Sequence, residues 1–106
     1  MMSDNSSAMP GIFYVCVHDS SLSPVLNLGR VAVCDSRRAM AEGDIVAVRT
    51  PRTTILRRYM PKDGYAELWT NAGLDFIVNK DPNDPCEIIG VCFDEIDLAD
   101  PGEPNQ

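Results

Sequence analysis

Asp19-Ser20-Ser21-Leu22-Ser23-Pro24-Val25-Leu26 lies between two apolar runs, Ile12 to Val17 and Val31 to Cys34, with Asn27-Leu28-Gly29 leading into the second. Both runs are short, β-branched or aromatic, and bounded by turn residues, so each reads as a buried strand. The stretch between them is then a compact polar turn that lifts one serine out of a sheet, its exit fixed by proline and glycine. A serine on a tight turn at a strand end, with backbone N–H groups free to face a developing oxyanion, is a common way of presenting a nucleophile. Ser-x-x-Pro alone is equally the composition of an ordinary turn, and the segments downstream of it decide between the two.

Outward from that turn the chain keeps the same rhythm. Arg30 to Cys34 is a strand closed by Asp35-Ser36, and Arg37 to Glu42 is expected to form one irregular helical turn before Gly43-Asp44. Asp44 to Arg49 and Thr53 to Met60 are strands joined by Thr50-Pro51-Arg52, and Pro61-Lys62-Asp63-Gly64 has the composition of a β-turn. Tyr65 to Trp69 alternates as a half-buried strand should. Leu74 to Val78 extends again after Asn71-Ala72-Gly73, and Cys86 to Phe93 is a further strand in which Gly90 marks a bulge. Seven or eight short strands with almost no helical period predict a mainly β domain, a curled sheet or partial barrel. Residues 1–11 read as a linker or disordered segment, 12–97 as the domain, and 98–106 as an acidic tail.

Composition narrows the function. A chain of 106 residues with 44% apolar content is one domain with a modest core. No signal peptide or membrane span is visible, so a cytoplasmic location and no membrane partner are expected. Cys16, Cys34, Cys86 and Cys92 have no C-x-x-C pairing and no histidine beside them, which points to free thiols in a reducing compartment, with no metal and no cofactor. The net charge of −7 argues against this chain gripping nucleic acid by itself. Arg37, Arg38, Arg49, Arg52, Arg57 and Arg58 are gathered in the middle third, while Asp81 to Glu103 is strongly acidic. That asymmetry fits charge alternating between faces of one molecule, or basic and acidic faces of two copies meeting.

The order of these pieces resembles the C-terminal domain of LexA-like and lambda-type phage repressors, the Ser-Lys self-cleaving fold. The matching segments are Asp19 to Leu26, Gly29-Arg30-Val31-Ala32-Val33-Cys34-Asp35, Gly43-Asp44-Ile45-Val46-Ala47-Val48, Ile55-Leu56-Arg57-Arg58, Leu68-Trp69-Thr70-Asn71 and Ile88-Ile89-Gly90-Val91. No one segment is specific, but six in this order cover residues 12–95. The resemblance implies that Ser21 stands at the nucleophile and Arg57 at the position of the lysine base. Asp19-Ser20 replaces the family's Gly-Asp ahead of the serine.

Arginine in place of lysine changes the chemistry. A neutral lysine amine accepts the serine proton once burial lowers its pKa, whereas a guanidinium stays protonated and has no lone pair to offer. Lys62 and Lys80 lie outside the motif. His18 is three residues before Ser21, and on an extended strand that spacing turns it to the other face. Asp19 and Asp35 read as turn and strand-end residues. Arg57 is expected to be held inside the relic site, by Ser21 or a nearby carbonyl. The resemblance therefore implies an oligomerisation and regulatory domain of a phage or prophage repressor, silent for self-cleavage. Such a domain reaches DNA only through a helix-turn-helix domain, which this sequence does not contain, and some relatives respond to a RecA filament. The alternative is an active serine self-cleaving protease that tolerates Arg57; a free-standing protein that competes with a full-length repressor is a third reading. Self-association as a homodimer or higher homo-oligomer is expected through Ile88, Ile89, Val91 and Phe93, because Cys86 to Phe93 is more apolar than one sheet face needs; the alternative is a central strand buried on both faces within one monomer.

Overall fold

The computed structural model describes residues 11–97. Seven strands form one antiparallel sheet: β1 (Ile12–Cys16), β2 (Arg30–Asp35), β3 (Ile45–Arg49), β4 (Thr54–Lys62), β5 (Tyr65–Thr70), β6 (Gly73–Val78) and β7 (Glu87–Asp97). Their order across the sheet is β1-β2-β7-β3-β4-β5-β6. The described residues are thus all β, as the strand and turn pattern requires. The acidic tail and residues 1–10 of the expected linker lie outside them; Gly11 is described, its carbonyl accepting the Ser36 N–H at 2.8 Å.

Alternation along the strands distributes the apolar side chains between two clusters. On β3, Ala47 joins Val15, Val17, Leu22, Leu26, Ala32, Cys34 and Leu56, while Val46 and Val48 join Ala66, Leu68, Val78 and Val91. Successive side chains of a strand point to opposite faces, so the central strands are covered on both sides. A sheet apolar on both faces must curl its ends over them, and the near-continuous apolar composition of β2, β3 and the Ile88–Phe93 part of β7 is the sequence record of that requirement.

Several local expectations change. Residues 37–42 form turns and no helix; Asp44 closes this segment by accepting the Ala41 N–H on its carboxylate at 2.8 Å. Pro61 and Lys62 belong to β4, and the hairpin turns at Asp63-Gly64, with Lys62 opposite Tyr65. Pro61 is tolerated because β3 pairs β4 only through Arg58, which leaves Pro61 a partner on one side. The last strand runs beyond Phe93 to Asp97, since Arg30 pairs with Glu95 at 3.1 Å and with Asp97 at 3.4 Å and so accommodates an acidic strand end.

The apolar run Cys86 to Phe93 follows the alternative of a central strand. β7 is interior, paired with β2 on one side and β3 on the other. Val91 is 2% exposed and part of the core, and Ile88 and Ile89 are half-buried against the two clusters. Of the four residues expected at an interface only Phe93 is exposed, at 41%. The apolar excess is consumed within one molecule because the strand has two faces to fill.

A register shift between Ala47 and Val48, which face Gly90 and Ile88, makes Ile89 the extra residue of a bulge beside Gly90. Gly90 lies directly under Phe13, where an added Cβ would come within 2.6 Å of Cε1 and 2.7 Å of Cζ. Gly90→Ala is therefore expected to destabilise the fold by roughly 1–3 kcal/mol through overpacking. The check is a urea titration, in which the midpoint falls while the slope is unchanged.

Candidate functional site

The serine turn is built from short local bonds. Val17 and Arg30 close its base, with Val17 N–H donating to the Arg30 carbonyl at 2.9 Å and Gly29 N–H to the Val17 carbonyl at 3.1 Å. Within it the Leu26 N–H donates to the Leu22 carbonyl at 3.0 Å, and the Ser23–Pro24 peptide bond is cis. Leu22 and Leu26 are each 3% exposed, so the turn is anchored through two leucines that enter the core. Its other tether is Asn71, just past β5: the Asn71 N–H donates to the Ser21 carbonyl at 2.8 Å, and its side-chain amide donates to the Ser23 carbonyl.

Ser21 and Arg57 meet through a third residue. One Asp19 carboxylate oxygen accepts the Ser21 backbone N–H at 3.1 Å, and the other lies 3.9 Å from Arg57 Nη1. Arg57 is 8% exposed and is the only buried charged residue among the described ones. Its Nε donates to Asp75 Oδ2 at 2.7 Å, and Nη1 donates to the carbonyl of Leu56 at 2.7 Å. A buried guanidinium persists only when paired and hydrogen-bonded, and these bonds supply both conditions. Of the two expected partners, Ser21 or a nearby carbonyl, the carbonyl is the one found, that of Leu56, and in the turn Asp19 faces the guanidinium. Asp35 is a strand-end residue, as expected, accepting the Arg37 N–H at 2.8 Å.

Electrostatics finish the site. Burial pushes the Asp19 carboxyl up, but the Ser21 N–H, the Ser21 hydroxyl and the Arg57 charge together hold it below its ordinary value. An acid so depressed is a weak base. The Ser21 N–H, expected to be free for an oxyanion, is instead committed to Asp19.

Beside this cluster runs a groove of 350 Å³. Cys16, Val17, His18 and Asp19 form one wall, Thr53, Thr54, Ile55 and Leu56 the other, and Leu22 and Leu26 also line it. Ser21 and Arg57 each follow or precede a lining residue in sequence. The wall at Thr54–Leu56 belongs to the part of β4 that pairs with β3 but has no partner on β5, so it presents an open backbone edge. His18 is exposed in the groove and makes no hydrogen bond to Ser21. No group of three or more His, Cys, Asp or Glu able to hold a metal occurs among the described residues.

Two functional positions escape a reading of the sequence. Asp75 is a lone charge in the apolar strand Gly73-Leu74-Asp75-Phe76-Ile77-Val78, and a register shift between Leu68 and Trp69, opposite Phe76 and Leu74, makes it a bulge residue. An acid inside an apolar strand is a signal that a buried base needs neutralising. Asn71 is visible as the end of Leu68-Trp69-Thr70-Asn71, but its role as tether depends on a contact with residues about fifty positions away.

Asp19 offers a direct test of this wiring. Its folded-state pKa is depressed, so the stability it contributes is present above its ordinary value of 3.8 and is lost as pH falls through the folded value. Asp19→Asn keeps an acceptor for Ser21 but removes the charge. The variant is expected to unfold at lower urea than the parent at pH 7, with the gap closing below pH 3.8; a gap independent of pH would rule out the Asp19–Arg57 attraction as its cause.

No curated protein matches the chain. Residues 2–93 match the family described as Peptidase S24-like, which spans the serine turn, β4 with Arg57, and most of β7. The chain belongs to the Peptidase S24-like family.

Proposed function

We propose that this domain is the oligomerisation and regulatory module of a phage or prophage transcriptional repressor, and that it does not cleave itself. The observation that carries the reading is Arg57. It stands where the family resemblance puts a lysine base, it is buried, and it is bound on Nε and Nη1 by Asp75, Asp19 and the Leu56 carbonyl. A guanidinium so held cannot take the Ser21 proton. Asp19, the other group in reach, is a depressed carboxylate that already accepts from Ser21. His18 lies in the groove wall with no bond to the serine. What the scaffold retains is a rigid serine turn, an open groove and a body for assembly.

Self-association is supported by a surface that includes only Phe93 of the four residues expected there. Beyond Cys92, β7 has β2 on one side and no strand on the other, since its ladder with β3 ends at Cys92. Phe93 and Ile96 are exposed on this half of the strand. An open edge with exposed apolar residues is suited to pairing with a second copy about a two-fold axis, on the order of 800 Å² per partner for a stable contact. The arginines contribute less to such an interface than their clustering suggests. Arg49 pairs with Glu87, Arg57 with Asp75, Arg58 donates to the Gly43 carbonyl, and Arg38 lies over the Phe93 ring at 4.5 Å. On this reading DNA contact belongs to a helix-turn-helix domain and not to these 106 residues.

Incubation of the full polypeptide at alkaline pH, with and without a RecA filament, tests catalytic silence, because high pH favours a neutral base. The chain is expected to stay intact, and Ser21→Ala to change nothing. A discrete fragment that Ser21→Ala abolishes would establish the self-cleaving alternative instead. For assembly, sedimentation at micromolar concentration should give a mass that rises with concentration, and Ile96→Asp should shift it toward monomer. A constant monomer mass for the parent removes assembly from the proposed role.

A further inference from the structure

Cys34 and Cys92 face one another across the ladder between β2 and β7. They are direct register partners, and both side chains belong to the same apolar cluster, so they project from the same face. Directly opposed residues of an antiparallel pair have Cα atoms about 4.5–5.5 Å apart, within the span a disulfide bridges. Cys16 and Cys86 have no such opposite: Cys16 is exposed and stands across from Val31, and Cys86 packs with the second cluster. All four sulfurs are free thiols.

The pair is also accessible from one side. Cys34 is fully buried, but Cys92 is half-buried and opens on a depression of 290 Å³ that it lines with Leu26, Ile45 and Phe93. A register shift between Val33 and Cys34, opposite Asp94 and Cys92, leaves Phe93 as a bulged residue beside the pair. Bulges locally loosen a ladder and re-aim its side chains, which gives the strand freedom to adjust when a bond forms between the sulfurs.

We propose that Cys34 and Cys92 constitute a reversible disulfide site that closes by exchange with a low-molecular-weight disulfide of the glutathione class. The Cys92 thiolate attacks one sulfur of the oxidised reagent, forming a mixed disulfide and releasing one glutathione thiolate. The Cys34 sulfur then attacks Cys92, the second glutathione leaves, and the Cys34 proton passes to it. Two protein thiols are oxidised and one reagent disulfide is reduced to two thiols. The division of labour follows the local chemistry. A hydrogen bond from the Cys34 thiol holds Cys92 below its ordinary value against the opposing effect of burial, while that bond and then burial push Cys34 up. As a neutral thiol, Cys92 donates to the Asp94 carbonyl at 3.4 Å.

The closed ring runs from position 34 to position 92 and ties the β1–β2 arm to the interior strand, so the oxidised form gains stability through a restricted unfolded state. The test uses the full chain carrying Cys16→Ser and Cys86→Ser, incubated natively with oxidised glutathione, quenched with iodoacetamide and weighed. The expected product has lost two hydrogen atoms, carries no alkyl group on Cys34 or Cys92, and melts roughly 10 °C higher, a gain that dithiothreitol reverses. Persistent alkylation of both thiols, or a glutathione adduct on Cys92 that never resolves, would overturn the proposal. Should the double variant not fold, the parent chain is oxidised and cleaved after arginine and after glutamate, so that cuts at Arg30 and Glu87 separate Cys16 from Cys34 and Cys86 from Cys92. A link between the Cys34 and Cys92 peptides then supports the assignment, and a link through Cys16 or Cys86, or none, refutes it.

Discussion

A positive charge that cannot be discharged sits inside this sheet, and the site is arranged around neutralising it. A guanidinium is a permanent cation, so taking Arg57 out of water requires fixed negative partners. Asp75 provides the tight bond at 2.7 Å, and a bulge in β6 accompanies its placement. Asp19, in the serine turn, provides the longer contact at 3.9 Å. Because the other oxygen of Asp19 takes the Ser21 N–H, the conformation of the serine turn is linked to the charge on β4. Replacing either carboxylate would leave a buried cation under-compensated, so the bulge and the turn that position them are constrained together.

The same arrangement explains why the serine turn persists as a shaped object without a proton acceptor. Its rigidity derives from two buried leucines, the Asn71 tether and the Asp19 carboxylate, none of which depends on Ser21 reacting. A scaffold of this kind separates presentation from chemistry: the first is built from core packing and backbone bonds, the second from one side chain on a neighbouring strand. The groove alongside retains a partly apolar lining and a backbone edge at Thr54–Leu56 that has no neighbouring strand on the β5 side.

Much of this is legible in the residue order. Strand existence derives from short β-branched runs between turn residues, and the serine turn, Arg57 and Asn71 all appear as parts of recognisable segments. The misses share one cause, which is that pairing between distant strands overrides local composition. Pro61 looks like a turn residue because nothing local reveals that β3 ends before reaching it. Asp94 to Asp97 falls outside the apolar run because Arg30, which pairs with two of those acids, is more than sixty positions away. The apolar run ending at Phe93 looks like surplus because a strand's neighbours, not its own composition, decide whether it has one face to bury or two. Asp75, an isolated acid between apolar neighbours, is the one local hint of the buried cation.

The position of β7 in the sheet has a consequence for how the molecule comes into being. β1 and β2 form one ladder, β3 to β6 another, and these two arms share no strand pairing except through β7. The joining strand is the last of the seven to leave the ribosome. Until residues 87–97 emerge, the two arms can form only as separate meanders, each with an open edge on the side where β7 belongs. Completion is then a single late insertion that closes contacts as far apart as Arg30 and Asp97, the kind of long-range step that makes β-rich domains slow to fold and exposes them to premature edge pairing on the way.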